Sequence, residues 1–419
     1  MFNLLRKLVA PKHKSSTAAF EYLERDMIFM GWKAPKGQWT PARVVLAIFI
    51  IASSAVYFPT GVFITFFVDL KTLSATETMT VLQVALNTMG FPLKLFILRL
   101  NLWRKFYKIK ELLDRMDERC IALSERNKVH RWVTRCNMAY LSYQFVFTSY
   151  TISTFFIAIS SGVVPWNIYN PFIDSQKNTM NLWIASFVEL IPLIFIAIQT
   201  WMVDGFPLLL GLVLRAHIKL LKQRVDNLCS DPSKSDDENH EDLVKCIEDH
   251  NLILEYAALI RPFIEPIIFV QFLLVGLILG ISLINLLYFA DAWAKLPIGA
   301  YIILQICQTF PFCCTCDLIR EDCEILAVAI FHSSWNNSNR RYKASQLYFL
   351  QNAQRTITFT AGSIFSIGLS TNLRVAKLAF SVVTFVNQLG LSDRVSKNEP
   401  FLHTATHTNG NANINTTTG

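Results

Sequence analysis

Charged side chains are scarce in this chain of 419 residues. Only 17% of the residues are Asp, Glu, Lys or Arg, whereas 52% are hydrophobic. A soluble domain typically carries about 25% charged residues, because its surface has to face water. The deficit argues against a soluble protein and predicts that much of the apolar surface faces lipid.

The chain also lacks the cysteine pattern of a disulfide-stapled secreted domain. It has nine cysteines, and none lies in a segment that we predict to face the cell exterior. We therefore expect no disulfide framework. Cys313 and Cys316 have the C-x-x-C spacing of a metal site, but no second ligand pair lies near them in the sequence. We interpret both as packing residues and predict neither a metal nor another cofactor.

Motifs of catalysis are missing as well. The sequence contains no phosphate-binding Walker loop and no zinc-binding His-Glu-x-x-His motif. The acidic run 231–238 lacks the ligand spacing of an EF-hand, so we interpret it as a solvated loop. These absences argue against an enzyme.

Long uninterrupted apolar blocks dominate what is present. Each block is long enough to cross a bilayer as a helix. The blocks are continuous rather than alternating, which argues against a β-barrel. The fold class predicted is therefore an all-α membrane protein with seven transmembrane helices. The blocks are 43–69, 77–99, 136–160, 182–205, 264–289, 297–319 and 361–389.

The distribution of positive charge predicts the topology. Thirty of the 39 Lys and Arg residues lie in the N-terminal segment and in the loops after spans two, four and six, and only five lie on the other side. Because cytoplasmic loops carry the excess of Lys and Arg, we place the N-terminus inside and the C-terminus outside. The net charge of +8 is thus explained by membrane orientation, and no nucleic-acid partner is predicted.

This topology divides the chain into three parts. Residues 1–42 form a cytoplasmic N-terminal segment, residues 43–390 form the seven-transmembrane domain, and residues 391–419 form an extracellular polar tail that we expect to be disordered. The segments on the inner side have helical composition with few breakers. We expect them to extend the membrane helices into the cytosol and to pack together as an anchor region.

Charged residues near the middle of spans four and seven call for an explanation, because a charge in the membrane interior is costly. Span seven carries Arg374 and Lys377, which favours a helix that lines water. Span four carries Glu189, either as a ligand or ion contact or as a hydrogen-bonded packing residue. For Glu189 we favour packing.

Three motifs near the C-terminus resemble those of one family. Residues 323–335 form an acidic-aliphatic run that ends in Trp335, and Gln354-Arg355 precedes Thr360-Ala361-Gly362. Residues 377–388 follow a Lys-x-Ala-aromatic-Ser pattern that ends in an amide. In this order the motifs resemble those of insect odorant receptors. The short insert between spans four and five resembles a ligand-selective tuning subunit rather than the shared co-receptor.

The resemblance implies an odorant-gated, non-selective cation channel. Its subunits would form a heterotetramer with the co-receptor in the plasma membrane of olfactory sensory neurons. Span seven would line the pore, with Gln388 as the constriction amide and Phe385 at a hydrophobic gate. Steps of three and four residues place Ser381, Leu378 and Arg374 on the same helical face, so these five residues are the predicted pore stripe.

The odorant, a small volatile molecule, would bind in the outer half of the bundle. The predicted topology selects candidate residues from the outer halves of the spans, where apolar walls and few polar groups suit such a ligand. The candidates are Val84 and Asn87 on span two, Thr148, Thr151, Ile152 and Phe155 on span three, Phe187 and Ile191 on span four, and Tyr301 and Gln305 on span six.

Three other functions compete with this one. A G-protein-coupled chemoreceptor would have the opposite orientation to the one that the charges predict. A gustatory receptor would carry a Thr-Tyr signature, where this chain has Thr384-Phe385. A transporter would show internal repeats, and none is evident. Membrane lipid is the remaining expected partner.

Overall fold

The computed structural model describes residues 14–34, 40–68, 74–166, 168–170, 172–174, 177–333, 335 and 338–388. These residues are almost entirely helical, and the predicted tail 391–419 lies outside them. Within these ranges the α-helices are α1 (Glu21–Phe29), α2 (Pro41–Ile51), α3 (Phe58–Val68), α4 (Ala75–Glu118), α5 (Leu123–Ser160), α6 (Thr179–Asp226), α7 (Asp236–Ile284), α8 (Lys295–His332), α9 (Arg340–Ala353) and α10 (Leu369–Gln388).

The five central helices are much longer than a membrane crossing requires. Helices α4 to α8 contain between 38 and 49 residues, whereas about 20 residues span the hydrocarbon core. They therefore extend beyond the membrane on one side. We call the end of the bundle at the α4–α5 connection the inner end, and the opposite end the outer end.

Five helical segments are long and apolar enough to cross a membrane within the described ranges. Predicted spans three and seven are helical too, in α5 and α10, but they fall outside this set. Span three contains many Ser, Thr and Tyr residues, and span seven contains Arg374 and Lys377. The five segments are Pro41–Val68, Ala75–Leu102, Thr179–Asp226, Asp236–Phe289 and Lys295–His332.

A π-helical turn, Ala52–Tyr57, joins α2 to α3 in a single span. The hydroxyls of Ser53 and Ser54 both donate to the carbonyl of Ile50, at 3.0 and 2.6 Å. Serine hydroxyls that bond to the carbonyl of the preceding turn compete with the helical hydrogen-bond pattern. The local sequence therefore explains why this turn is wider than an α-helical one.

The N-terminal segment is anchored in the inner end of the bundle. A 3₁₀ turn, Ser16–Phe20, precedes α1, and the Phe20 ring is fully buried against Phe106 at a centroid distance of 5.5 Å. The backbone N–H and hydroxyl of Ser16 donate to the Asp117 carboxylate at 2.5 and 2.6 Å. Burial raises the pKa of Asp117, and the hydrogen bonds from Ser16 act in the opposite direction.

The acidic run 231–238 is only partly a loop. Its last three residues form the first turn of α7, where Ser235 and Glu238 make a reciprocal capping box. Carboxylates in a first turn also interact favourably with the helix dipole. The interpretation of the whole run as a solvated loop is therefore wrong for its last three residues, which start a helix.

The start of span seven is a β-hairpin rather than a helix. Strands β1 (Thr360–Ala361) and β2 (Phe365–Ser366) pair antiparallel. Gly362 turns the chain with φ +57°, and a Cβ there would lie 2.7 Å from the Phe269 ring, so only glycine fits. The prediction that span seven is helical from residue 361 is therefore wrong, because the helix begins only at Leu369.

Helix α10 begins at Leu369, where α8 supplies the cap. The Asp317 carboxylate accepts a hydrogen bond from the Leu369 N–H at 2.8 Å. This contact satisfies one of the free N–H groups at the start of the helix, as a local N-cap would do. The start of α10 is thus determined by a side chain 52 residues away in sequence.

Candidate ligand site and pore helix

A polar and aromatic cluster lies between α4, α5 and α8 in the outer half of the bundle. The rings of Tyr150 and Tyr301 are 5.9 Å apart between centroids. The Tyr301 hydroxyl faces the side chains of Asn87 and Gln305. The structure therefore brings together three predicted site residues, Asn87, Tyr301 and Gln305. It adds Tyr150, which the sequence analysis missed although the neighbouring Thr151 was chosen.

Apolar residues of α7 form the wall beside this cluster. Val270, Leu274 and Ile278 pack together there, and Tyr301 lies against them. Gln305 is only 1% exposed, and its Nε2 has no hydrogen-bond partner among the described residues. A buried donor without an acceptor costs about 1–3 kcal/mol. Gln305 is therefore the group in the cluster that a ligand with an acceptor atom would satisfy.

Two more predicted site residues belong to an adjacent apolar cluster. Phe155 packs with Trp166 and Ile168 of the loop after α5, and Val84 of α4 lies against them. The Phe155 ring is 5.4 Å from Phe187. This cluster lies toward the outer end of the bundle, and its Val84 is about one helical turn from Asn87 on α4.

Of the other predicted site residues, Phe187 touches the second cluster through the Phe155 ring, and the rest are members of neither cluster. Thr151 is buried, but its hydroxyl already donates to the Phe147 carbonyl at 3.0 Å. The remaining four side chains are exposed on the outer surfaces of α5 and α6 in the single chain. These exposed residues are Thr148, Ile152, Phe187 and Ile191.

The structure identifies the partners of Glu189. Its two carboxylate oxygens accept hydrogen bonds from the backbone N–H groups of Trp166 and Ile168, at 2.9 and 2.8 Å, and the side chain is buried. Ile168 also packs so closely on Gly61 that a Cβ there would lie 2.3 Å from its side chain. Glu189 therefore holds the loop between α5 and α6 down into the bundle.

We expect Glu189→Ala to detach this loop. Both N–H groups would stay buried without an acceptor, at a cost of about 1–3 kcal/mol each. The purified full-length chain should then unfold at a lower temperature than the parent. Glu321→Ala, which removes an exposed carboxylate of α8, is the control and should leave the unfolding temperature unchanged. Equal effects of the two substitutions would contradict the assignment.

Helix α10 has one packed face and one free face. Ala379 and Val383 are buried, and Val375 and Ala379 pack against Val275 and Leu279 of α7. On the opposite side, predicted pore residues follow one another at helical spacing: Arg374, Leu378, Ser381 and Phe385 are all exposed. Gln388 is the last residue of the helix. These four residues of the predicted pore stripe thus face away from the rest of their own chain.

Comparison with known proteins identifies the family. A family model described as 7tm Odorant receptor matches residues 74–380. Odorant receptor 98a of Drosophila melanogaster is 52% identical over 398 residues, which cover 95% of this chain and 100% of the relative. The chain belongs to the odorant receptor family.

Further relatives support this assignment. Odorant receptor 42b of Drosophila melanogaster is 42% identical over 94% of this chain and 99% of its own length. Among solved structures, the insect olfactory receptor OR5 from Machilis hrabei in complex with eugenol aligns with a TM-score of 0.71. That alignment has 14% sequence identity and covers 89% of this chain and 99% of OR5.

These similarities confirm three predictions from the sequence. The resemblance to odorant receptors is correct, and the fold is the seven-transmembrane all-α fold of the family. The protein is a receptor rather than an enzyme. Because the family is the odorant receptor family, the gustatory alternative has no support.

Among its described residues, this odorant receptor has no metal site built from cysteines and acidic groups. All nine cysteines are free thiols, and Cys313 and Cys316 are buried. Among the described residues, no group of three His, Cys, Asp or Glu side chains could hold a metal ion.

Sequence reasoning missed a buried ion pair in the centre of the receptor. Lys94 of α4 and Asp204 of α6 are almost fully buried, and their Nζ and Oδ1 atoms are 2.9 Å apart. Lys94 also donates to Gln271 of α7, whose amide donates to Gln308 of α8 at 2.7 Å. The sequence does contain a signal for this pair, because Lys94 lies in apolar span two and Asp204 lies in apolar span four.

Beside this polar network, α8 also contacts the start of α10. Thr309 follows Gln308 in α8, and its hydroxyl lies 3.2 Å from the Asn372 side-chain oxygen in α10. Gln305 precedes Gln308 by one helical turn. The candidate ligand site and α10 are therefore linked by α8 and its hydrogen bonds.

Proposed function

We propose that this odorant receptor is the ligand-selective subunit of an odorant-gated, non-selective cation channel. The observation that carries the proposal is the free face of α10. A helix packed on one side only, with polar and charged groups along its exposed side, suits an assembly in which several copies surround water. In this proposal the co-receptor supplies the other subunits of a heterotetramer.

The proposed ligand is a small volatile odorant. OR5 from Machilis hrabei binds eugenol, which supports a small organic molecule for this chain as well. The proposed site centres on Asn87, Tyr301 and Gln305, with Val84 and Phe155 beside it and Thr151 below. Thr148, Ile152, Phe187 and Ile191 would then shape its outer rim or contact lipid.

Gating follows from two physical effects. An apolar constriction at Phe385 dewets and blocks ions, and a small displacement of α10 readmits water. The odorant has to supply only the difference in binding free energy between the closed and the open state. The hydrogen bond between Thr309 and Asn372 offers a path from the ligand site on α8 to the pore helix.

The proposed location is the plasma membrane of olfactory sensory neurons, with the N-terminus in the cytosol and the polar tail outside. The excess of Lys and Arg at the inner end of the bundle supports this orientation. An N-terminal epitope tag should stay inaccessible to antibody on intact cells and become accessible after permeabilisation. Staining of intact cells would contradict the proposed topology.

The function is tested by recording currents from cells that express the chain with and without the co-receptor. Some members of a broad odorant panel should evoke a cation current only when both are present. If the chain reaches the cell surface with the co-receptor and no odorant evokes current, the proposed function is wrong.

Gln305 provides a test of the ligand site. Gln305→Leu removes the unpaired donor, so half-maximal activation by a ketone should need about tenfold more odorant, because a buried hydrogen bond is lost. Activation by a hydrocarbon of the same shape should change little. Ser142→Ala is the control and should shift neither, because Ser142 is exposed on α5 nearer the inner end and belongs to neither cluster. If half-maximal activation shifts equally for the ketone and the hydrocarbon, Gln305 is not part of the ligand site.

A further inference from the structure

A single tryptophan at the inner end is surrounded by three cations. Around the Trp132 ring of α5 lie Arg135 at 4.9 Å, Arg215 of α6 at 5.8 Å and Lys219 of α6 at 5.9 Å, each measured to the ring centroid. Cation–π contacts of this kind hold basic groups at defined positions. The cluster therefore fixes three positive charges in a small area.

One carboxylate lies among these cations and neutralises them only in part. Asp322 of α8 accepts from the Arg215 Nε at 2.6 Å and lies 3.5 Å from the Lys219 Nζ. Arg135 is exposed and has no carboxylate partner in the described part of the chain. The three cations and Asp322 together carry a net charge of +2. The exposed side chains of Arg135 and Lys219 present this charge to the surroundings.

Trp132 and Arg135 lie at the inner end of predicted span three, which is the level of lipid headgroups. Arg135 is the last charged residue before the long uncharged segment of span three. Trp132 lies one helical turn closer to the inner end of the bundle. Tryptophan is enriched at membrane interfaces. On the membrane side of Arg135 the same face of α5 exposes Met138 and Val146. The exposed cations therefore lie beside an apolar part of α5 that we expect to face the bilayer.

We infer that Trp132, Arg135, Arg215 and Lys219 form a binding site for the phosphorylated headgroup of an anionic membrane lipid. Basic pockets between transmembrane helices on the cytosolic side bind such headgroups. The exposed cations bind phosphate, Trp132 holds them apart, and the acyl chains lie along Met138 and Val146. This site is separate from the proposed odorant site and does not depend on channel activity.

Binding can be measured on the purified full-length chain with a fluorescent short-chain phosphatidylinositol bisphosphate. The double substitution Arg135→Gln and Lys219→Gln should weaken binding about 30-fold, because each basic residue contributes separately to attraction of the headgroup. The matched control is Arg340→Gln with Arg341→Gln, which removes two exposed charges from α9. The control should bind as the parent does.

Two further measurements distinguish this site from nonspecific attraction or from a site for soluble phosphate. Trp132→Leu keeps all three cations and should still weaken binding severalfold, because the cations lose their fixed positions. Soluble inositol trisphosphate should compete much less well than the lipid. The inference is overturned if the double variant binds like its control, if Trp132→Leu has no effect, or if the soluble headgroup competes equally with the lipid.

Discussion

Asp204→Asn is expected to prevent most receptor molecules from folding correctly. The substitution leaves the Lys94 ammonium buried, because both members of the pair are 2% exposed. Breaking one side of a buried ion pair costs about 3–5 kcal/mol. That is a large part of the stability of an ordinary protein domain. The yield of monodisperse protein in size-exclusion chromatography should fall sharply.

A double variant tests whether the unpaired buried charge of Lys94 causes the loss of yield. Lys94→Met combined with Asp204→Leu removes both charges, and apolar replacement of a buried pair is often neutral or stabilising. The double variant should therefore recover much of the lost yield. Asp226→Asn is the matched control on the same helix, because its partner Lys222 is exposed. The assignment fails if Asp204→Asn folds like the parent or if the double variant is no better than the single one.

Phe385→Ala is expected to produce a large current without odorant. In the proposed channel the Phe385 ring closes the pore, and burial of a phenylalanine side chain contributes about 1.5–3 kcal/mol. Its loss would shift the closed–open equilibrium by about tenfold to a hundredfold. The order in which odorants activate the channel should stay the same. Currents in cells that co-express the co-receptor, with and without odorant, measure both effects.

The same helix provides the control for this experiment. Phe380 is 58% exposed and Phe385 is 59% exposed, but their spacing of five residues places them on different sides of the helix. Phe380→Ala should leave the basal current near that of the parent. Gln388→Ala should alter conductance instead, because Gln388 is the predicted constriction. If Phe380→Ala and Phe385→Ala raise the basal current equally, the predicted pore stripe is wrong.

Much of the architecture followed from composition and local pattern. Apolar blocks of spanning length predicted seven helices, because a helix that crosses lipid has to be apolar along its length. The structure has a helix within each predicted block, and five of these helical segments are long and apolar enough to cross a membrane. The motifs at residues 323–335 and 377–388 pointed to the family that the comparisons confirm. Spacing alone also placed Arg374, Leu378, Ser381 and Phe385 on a single face, and this face of α10 is exposed.

The candidate ligand site was predicted less completely. Asn87, Tyr301 and Gln305 were chosen because they lie in the outer halves of their spans, and they do meet in space. Depth in the membrane, however, does not reveal rotation about a helix axis. For this reason Ile152 and Phe187 were chosen although their side chains face outward, whereas Tyr150, which faces Tyr301, was missed.

The sequence by itself determined the class of protein, the spans, their predicted direction and the family. These properties depend on the local density of apolar and charged residues, which can be counted along the chain. The tertiary structure alone decided the partners: Glu189 with the backbone of the α5–α6 loop, Lys94 with Asp204, and Asp317 at the start of α10. Each of these contacts depends on how helices rotate and pack, and no local pattern encodes a partner that lies tens of residues away.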